Sequence, residues 1–118
     1  MICIIDDDRY VKRGFEILLQ SAGFETKSFL NAEEFLTGFD PYKCDLLLLD
    51  IQMLGMSGCD LLAYFSAHDI HIPVIVITAF DEPSSRDCAE KYGVLAFLRK
   101  PVDGDILINL IKQSLATV

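Results

Sequence analysis

The chain has few basic residues and no long apolar segment. Its 10 lysines and arginines are outnumbered by 18 acidic residues, which gives a formal net charge of -8 at pH 7. Contacts to nucleic acid phosphates depend on Lys and Arg, so this charge argues against direct nucleic acid binding by this chain. No stretch approaches the roughly 20 apolar residues of a membrane span, and Met1 leads into a predicted strand without the basic start of a secretory signal. We therefore expect a cytoplasmic protein that does not contact a membrane.

The sequence also lacks cysteine pairs with the spacing of a metal or redox motif. Cys3, Cys44, Cys59 and Cys88 are far apart and form no C-x-x-C motif. Disulfides are rare in the cytosol, where thiols are kept reduced. The sequence thus predicts four reduced thiols with a structural role.

The rest of the composition fits a folded domain. With 118 residues and 52% hydrophobic content, the chain has enough apolar side chains for one core and no room for a second domain. We expect residues 1–118 to form a single domain. Five short segments predicted as strands, four of them largely apolar and one (ETKSF) with alternating side chains, alternate with five segments of helical periodicity. The strand segments are ICII (2–5), ETKSF (25–29), CDLLLLD (44–50), PVIVITA (73–79) and LAFLRKP (95–101).

The helical segments carry the end signals that favour helices. The first begins near Val11 and stops at Gly23, and Asn31 starts the second with an acid three residues later, as in a capping box. Pro83 and Gly93 flank the fourth, which is the usual asymmetry of helix ends. The predicted apolar faces of the third and last helices comprise Leu61, Leu62, Phe65, Ile106, Leu107, Leu110, Ile111 and Leu115.

The strand composition predicts an α/β fold. Uniformly apolar strands are typical of a parallel sheet that helices cover on both faces, with right-handed crossovers. In open sheets of this kind, ligand sites lie at the carboxyl ends of the strands. Four strands deliver polar side chains to that edge, namely those of Asp6, Asp7, Asp50, Thr78 and Lys100.

These five side chains have the chemistry of a phosphoryl-transfer site. Three carboxylates at one edge repel one another and need a cationic partner. Mg²⁺ takes its ligands from carboxylates, waters and phosphate oxygens, so Asp6, Asp7 and Asp50 predict a Mg²⁺ site. As a carboxylate nucleophile, Asp50 can form an aspartyl phosphate. Lys100 and Thr78 can supply positive charge and a hydrogen bond to the phosphoryl group.

The chain resembles the receiver domain of bacterial two-component response regulators in four segments, IIDDD, LLLLDIQMLGMSG, VIVITA and FLRKP. Their order and spacing match, and the resemblance covers essentially the whole chain. It implies a doubly wound, flavodoxin-like sheet of five parallel strands in the order 2-1-3-4-5, with five flanking helices. It also implies that Asp50 is the phosphoacceptor, that Asp6 and Asp7 are the acidic metal pair, and that the backbone carbonyl of Gln52 completes the metal shell.

The same resemblance implies further roles near the site. Thr78 matches the switch hydroxyl, Lys100 the phosphate-binding lysine, and Phe97 the aromatic that changes rotamer with phosphorylation state. Pro101 matches a proline whose preceding peptide bond is usually cis in the family, although cis bonds are uncommon for proline in general. Asp8 has no role in the family pattern, and we expect it in the first turn of the first helix.

Two positions depart from the family pattern. A proline commonly stands four residues after the phosphoacceptor, where this chain has Leu54 followed by Gly55. Loss of a fixed φ adds freedom to this loop, which bears on metal binding through the Gln52 carbonyl. Phe80 is bulky beside the expected phosphoryl site, which predicts hindered access of the hydrolytic water and a longer-lived phosphorylated state.

Taken together, these residues predict a phosphorelay signalling switch that is not an enzyme beyond its own phosphotransfer and dephosphorylation. A sensor histidine kinase would phosphorylate Asp50 with Mg²⁺ and so change the surface formed by helix four, strand five and helix five. That surface would control an output domain or partner, in line with transcription regulation. The sequence leaves open whether a DNA-binding output domain follows the chain and whether phosphorylation drives homodimer formation.

Three other functions compete with this prediction. A haloacid-dehalogenase-type phosphatase needs a second Asp two residues after its nucleophile, where this chain has Gln52. A flavodoxin-type carrier needs a Ser/Thr-rich phosphate loop after strand one, where this chain has three aspartates. A pseudo-receiver, a folded interaction module that is never phosphorylated, remains the alternative.

Overall fold

A computed structural model describes residues 1–53, 55–80 and 82–116 of the chain. Its five strands are β1 (Ile2–Ile5), β2 (Thr26–Phe29), β3 (Leu46–Asp50), β4 (Val74–Thr78) and β5 (Ala96–Arg99). Its five α-helices are α1 (Arg9–Ser21), α2 (Ala32–Gly38), α3 (Gly58–Ala67), α4 (Pro83–Lys91) and α5 (Gly104–Ala116). Each predicted element is present, with bounds that differ by a few residues. None of the helices within the described ranges has the length and apolar character needed to cross a membrane.

The strands form one parallel sheet in the order β2-β1-β3-β4-β5. This order confirms the doubly wound, flavodoxin-like fold. Every residue of β1, β3 and β4 is buried, as their apolar composition predicts. The expectation of burial on both faces is wrong for the outer strands, because β2 and β5 each have only one neighbouring strand and stay partly exposed.

The helices divide into two layers, one on each face of the sheet. Side chains of α2, α3 and α4 share one apolar cluster with alternate strand residues, for example Phe35, Leu61 and Ala89. Side chains of α1 and α5 share the other, for example Phe15 and Leu107. Because strand side chains alternate between faces, each central strand supports both clusters. The layer of α2, α3 and α4 becomes important for the candidate site.

Several helix details differ from the sequence-based expectations. Asp8 is the N-cap of α1 and accepts hydrogen bonds from the N–H groups of Tyr10 and Val11, so it lies just before the first turn rather than in it. A short 3-10 helix at Pro41–Lys43 was not predicted. In α5 only Leu107 and Ile111 are fully buried. These two residues are four positions apart and so face the sheet together, whereas the other members of the predicted apolar face lie to the side. Ile106 and Leu115, at the margins of that face, are exposed.

The prediction of four reduced thiols is wrong for two of them. Cys3 and Cys44 are buried free thiols, but Cys59 and Cys88 form a disulfide whose Cα atoms are 6.0 Å apart. The two cysteines are 29 residues apart in sequence and lie on α3 and α4. Since both helices cover the same face of the sheet, the fold brings together cysteines that the sequence spacing separates.

Gly58, the first residue of α3, lies very close to the backbone at the end of β3. A Cβ atom at this position would lie 2.6 Å from the Cα atom of Ile51 and 3.0 Å from the carbonyl oxygen of Asp50. The Gly58 N–H donates a hydrogen bond to the Ile51 carbonyl at 3.1 Å. Only glycine allows this contact, which fixes the start of α3 directly behind the end of β3.

Candidate functional site

The polar side chains predicted to meet at the carboxyl edge of the sheet do lie together. Asp6 follows β1, Asp50 ends β3, Thr78 ends β4 and Lys100 follows β5. Asp6, Asp50 and Thr78 are buried, with exposed fractions of 1%, 5% and 0%. The parallel register brings these strand ends to one edge, because each strand points in the same direction.

Asp6 is held by contacts on both of its carboxylate oxygens. Its Oδ1 accepts a hydrogen bond from the Asp8 N–H at 2.9 Å, which belongs to the turn between β1 and α1. Its Oδ2 lies 3.0 Å from the Nζ atom of Lys100. Burial of a carboxylate is costly unless its charge is paired and hydrogen-bonded, and both conditions are met here.

Asp50 is less well compensated than Asp6. Its Oδ2 lies 3.7 Å from Lys100 Nζ, and its Oδ1 accepts a hydrogen bond from the Gln52 N–H at 3.1 Å. Burial, followed by the nearby charge of Asp6, raises the pKa of Asp50 to about 6, although Lys100 and the Gln52 N–H act in the opposite direction. The site therefore holds a buried carboxylate whose charge the protein does not fully stabilise.

Lys100 is the cation shared by the two buried carboxylates. Burial lowers the pKa of its ammonium group, but the hydrogen bond with Asp6 and the charges of Asp50 and Asp6 outweigh burial, so the pKa is raised. Lys100 therefore stays protonated near neutral pH. Its four-carbon side chain places a mobile positive charge beside Asp50, where it can follow an anion bound there.

The carboxylates also fit a divalent cation. Asp6, Asp7 and Asp50 each offer an oxygen, and these oxygens all lie within 4.8 Å of one another. An all-oxygen donor set with exposed Asp7 on its solvent side suits Mg²⁺, which keeps several water ligands. The negative charge of Asp50 is only partly balanced by Lys100, and a bound cation would balance the rest. The electrostatics therefore also favour a cation at this position. Residues Asp6, Asp7 and Asp50 are thus able to hold the metal that the sequence predicts.

Thr78 is connected to the neighbouring loop through its hydroxyl group. The Thr78 hydroxyl lies 3.0 Å from Gln52 Oε1 and 2.7 Å from the Phe80 carbonyl oxygen, and it accepts from the Phe80 N–H at 3.2 Å. The Gln52 side-chain amide also donates to the Phe80 carbonyl at 3.4 Å. The hydrogen-bond partners of the Thr78 hydroxyl are thus Gln52 and Phe80.

Gln52 was predicted to act through its backbone carbonyl, and the structure gives its side chain a separate contact. The residue follows Asp50 closely, its N–H donates to that carboxylate, and its side chain reaches Thr78. Sequence analysis missed this side-chain bond, because residues 26 positions apart carry no local signal of it. Gln52 consequently links the end of β3 to the end of β4.

The loop after β3 is tied to α2 by a residue that the sequence did not single out. The Met56 N–H donates to Glu33 Oε1 at 3.0 Å. Gly55 has φ +78, in the left-handed region that glycine adopts without steric cost. Leu54, where the family pattern has proline, lies outside the described residues. Glu33 and Gly55 therefore shape the part of this loop that the structure describes.

The remaining residues assigned by the resemblance lie on β5 and its following turn. Phe97 is half-buried, and the guanidinium carbon of Arg86 on α4 lies 5.0 Å from the centre of its ring. The peptide bond between Lys100 and Pro101 is cis, as the resemblance implies. Phe80, two residues after Thr78, is 64% exposed. The structure thus places Phe97 at the contact between α4 and β5.

Comparison with known proteins identifies the family of this arrangement. A family model described as the response regulator receiver domain matches residues 2–112. The chain belongs to the response regulator receiver domain family. In this receiver domain Asp6, Asp7, Asp50, Thr78 and Lys100 lie at the carboxyl edge of the sheet.

Individual relatives are transcriptional regulators of greater length. The transcriptional regulatory protein FixJ from Azorhizobium caulinodans is 33% identical over 112 residues, which are 95% of this chain and 53% of FixJ. The DNA-binding transcriptional regulator NtrC from Salmonella typhimurium is 30% identical over 116 residues, which are 98% of this chain and 25% of NtrC. The receiver domain thus spans about half the length of FixJ and a quarter of NtrC.

Solved structures agree with the fold in detail. The crystal structure of FixJ-N superimposes with a TM-score of 0.86 at 29% identity, covering 99% of this chain and 94% of that chain. The low-resolution structure of the response regulator StyR superimposes with a TM-score of 0.89 at 37% identity, covering 98% of this chain and 58% of that chain. Both comparisons extend over nearly the whole receiver domain.

The raised pKa of Asp50 predicts a pH-dependent gain in stability when its charge is removed. In the folded state Asp50 binds its proton more tightly than in the unfolded chain, so its ionisation destabilises the fold. This cost is small below about pH 4, grows between about pH 4 and pH 6, and is complete above. When a chelator keeps the protein free of divalent metal, Asp50→Asn should raise the free energy of unfolding at neutral pH by about 2 kcal/mol.

Thermal unfolding of the metal-free protein at neutral and acidic pH checks this expectation. The stabilisation should shrink toward zero as the pH falls to about 4, because wild-type Asp50 is then largely protonated in the folded state. Asp87→Asn, which removes the same charge from an exposed position on α4, is the control and should have little effect at either pH. Equal effects of the two substitutions would contradict a special charge deficit at Asp50.

Proposed function

We propose that this receiver domain is a phosphorelay switch in which Asp50 accepts a phosphoryl group from a sensor histidine kinase. The observation that carries the proposal is the position of Asp50. Its carboxylate is buried at the carboxyl edge of the sheet, 3.7 Å from Lys100 and within one metal-compatible cluster with Asp6 and Asp7. Nucleophile, counter-cation and metal ligands thus share one small site, as phosphoryl transfer requires.

The transfer itself is a displacement at phosphorus. An oxygen of the Asp50 carboxylate attacks the phosphorus of a phosphohistidine on the kinase, forming an O–P bond while the N–P bond breaks. The histidine nitrogen leaves with the electron pair and then takes a proton. Lys100 shifts from the carboxylate to a phosphoryl oxygen, since the transferred group brings added negative charge beside it. Hydrolysis later cleaves the acyl phosphate and restores Asp50.

Asp6 and Asp7 would hold Mg²⁺ together with Asp50, and the Gln52 carbonyl is proposed as a further ligand. When bound, the ion supplies positive charge that offsets repulsion between the carboxylates and the incoming phosphoryl group. Asp6 retains its hydrogen bond from the Asp8 N–H, which fixes the carboxylate for this role. Exposed Asp7 leaves the solvent side of the site open to the donor.

The proposed switch begins with Thr78. A phosphoryl group on Asp50 offers strong acceptor oxygens, which draw the Thr78 hydroxyl away from Gln52 and the Phe80 carbonyl. Movement of Thr78 vacates space beside β5, into which half-buried Phe97 rotates. The surface formed by α4, β5 and α5 then changes. Phosphorylation acts as a population shift, so the unphosphorylated protein samples the active form at a low level.

The partners of this receiver follow from its proposed role. A sensor histidine kinase donates the phosphoryl group, and the changed surface controls a DNA-binding output domain outside this chain or a second copy of the receiver. Its formal charge of -8 makes the receiver itself unsuited to DNA. The relatives FixJ and NtrC are named as transcriptional regulators, which supports this output. We place the protein in the cytoplasm and assign it no enzymatic activity beyond its own phosphorylation cycle.

Phosphorylation of Asp50 is tested by intact-mass spectrometry. Incubation with Mg²⁺ and acetyl phosphate should add one phosphoryl group, because the site provides the nucleophile and its electrostatic partners. The added mass should be absent in Asp50→Asn and retained in Asp87→Asn, the exposed control. Labelling that persists in Asp50→Asn would place the acceptor elsewhere. A wild-type protein that no donor labels would support the pseudo-receiver alternative.

The metal site is tested by comparing two neighbouring aspartates. Asp7→Asn should weaken Mg²⁺ binding by roughly tenfold or more, because it removes a charged ligand without touching the nucleophile. Asp8→Asn removes the same charge from the adjacent residue and keeps a good N-cap residue for α1, so it should have little effect on Mg²⁺ binding. Mg²⁺ titrations followed by NMR compare the two variants. Greater sensitivity of Asp8→Asn would show that the three-aspartate run is assigned out of register.

The switch is tested by removing or keeping the Thr78 hydroxyl. Thr78→Ala should still accept a phosphoryl group on Asp50 but lose most of the chemical-shift change on α4 and β5, since the donor to the phosphoryl oxygens is gone. Thr78→Ser keeps a hydroxyl at this position and should retain the change. Two-dimensional NMR spectra before and after phosphorylation provide the measurement. The full wild-type shift pattern in Thr78→Ala would overturn the switch mechanism and leave the phosphoacceptor assignment intact.

A further inference from the structure

The disulfide between Cys59 and Cys88 joins the two helices that follow the strands carrying Asp50 and Thr78. Cys59 lies at the beginning of α3, which follows β3, and Cys88 lies within α4, which follows β4. The proposed function gives Asp50 and Thr78 central roles but leaves the two sulfur atoms without one. The bond is thus a covalent link between the helices that follow β3 and β4.

One end of the disulfide is coupled to the end of β3. Gly58, the neighbour of Cys59, donates to the Ile51 carbonyl and approaches the backbone of Asp50 so closely that a Cβ atom would not fit. The first residues of α3 are also fixed by Ser57, whose side chain caps the helix in a reciprocal capping box with Asp60. Cys59 is therefore anchored to the same backbone that carries the phosphoacceptor.

The other end of the disulfide is on a helix that is less firmly anchored at its start. The N-cap residue of α4, Glu82, makes no side-chain hydrogen bond to the helix, unlike Ser57 in α3. Arg86, one turn into α4, stacks over the Phe97 ring at 5.0 Å. Movement of α4 therefore changes the surroundings of Phe97, and the disulfide restrains α4 relative to α3.

We propose that Cys59 and Cys88 form a redox-controlled tether between α3 and α4. In the oxidised form the tether holds α4 in its present position and suppresses the change that phosphorylation produces on α4 and β5. In the reduced form α4 is released and the change proceeds. This inference rests on the proposed phosphorelay function and adds a second input to it, the thiol–disulfide state of the cell.

The tether forms and opens by thiol–disulfide exchange. Cys59 is half-buried and Cys88 is buried, so we expect an external disulfide to react first at Cys59. The Cys59 thiolate attacks a small-molecule disulfide and releases one thiol, and the Cys88 thiolate then attacks the Cys59 sulfur and releases the second. Two protein thiols become one disulfide while the small-molecule disulfide is reduced to two thiols. A dithiol reductant reverses both steps.

The first measurement establishes the two redox forms of the whole chain. Protein equilibrated with oxidised glutathione should be lighter by two hydrogen atoms than protein treated with dithiothreitol, and peptide mapping should join Cys59 to Cys88. Cys59→Ser and Cys88→Ser should each abolish this intramolecular link. Failure of oxidised glutathione to link the two cysteines in the wild-type protein would overturn the proposal.

The second measurement separates the tether from phosphorylation itself. Both redox forms are phosphorylated with acetyl phosphate and Mg²⁺, with intact mass reporting phosphoryl incorporation and NMR reporting α4 and β5. We expect the reduced form to show the full chemical-shift change and the oxidised form to lose most of it at equal incorporation. Cys88→Ser should respond fully whether or not oxidised glutathione is present. Comparing reduced with oxidised wild-type protein also tests the effect of the disulfide, and it requires no substitution of the buried Cys88.

The outcomes distinguish the two proposals. Equal chemical-shift changes in oxidised and reduced protein, with phosphoryl incorporation in both, would overturn the tether and leave the phosphorelay function intact. Absence of phosphoryl incorporation at Asp50 in both redox forms would overturn the proposed function and the tether with it. A response of Cys88→Ser to oxidised glutathione equal to that of wild type would also overturn the tether, because no bond to Cys59 can form in that variant.

Discussion

The site depends on the repulsion between two carboxylates that the fold buries at the same edge of the sheet. Asp6 and Asp50 are nearly inaccessible to solvent, and Lys100 is the cation placed between them. Burial, followed by the charge of Asp6, raises the pKa of Asp50, and Lys100, which lies closer to Asp6, offsets this only in part. The ionised Asp50 side chain therefore lowers the stability of the fold, and a further positive charge nearby would offset this cost.

The fold was predictable because its signals are local and repeated. Four of the strands are short, largely apolar runs, and three of the helices have end signals such as Asn31 or Gly93. Parallel strands bring their carboxyl ends together without further information. Prediction failed where the outcome depends on packing between distant elements. The exposure of Ile106 and the pairing of Cys59 with Cys88 are set by how helices lie on the sheet, which neither spacing nor composition records.

In the candidate site, too, some features could be predicted from the sequence and others could not. The positions of Asp6, Asp50, Thr78 and Lys100 follow from strand ends, so the sequence was sufficient to place them at one edge. The contact between the Gln52 side-chain amide and Thr78 could not be predicted in this way, because it depends on the rotamers of two side chains that are 26 residues apart in sequence. The bond from the Met56 N–H to Glu33 likewise joins segments that are unrelated in sequence.

The glycine at the start of α3 has a mechanical consequence. In most places side chains separate a helix from the sheet, and they can change rotamer when the helix or the sheet moves slightly. At Gly58 this layer of side chains is missing, and the backbone of α3 lies against the backbone of Ile51, the residue after Asp50. A displacement at the end of β3 therefore moves α3 as a rigid body, and rearrangement of side chains between the two does not absorb it.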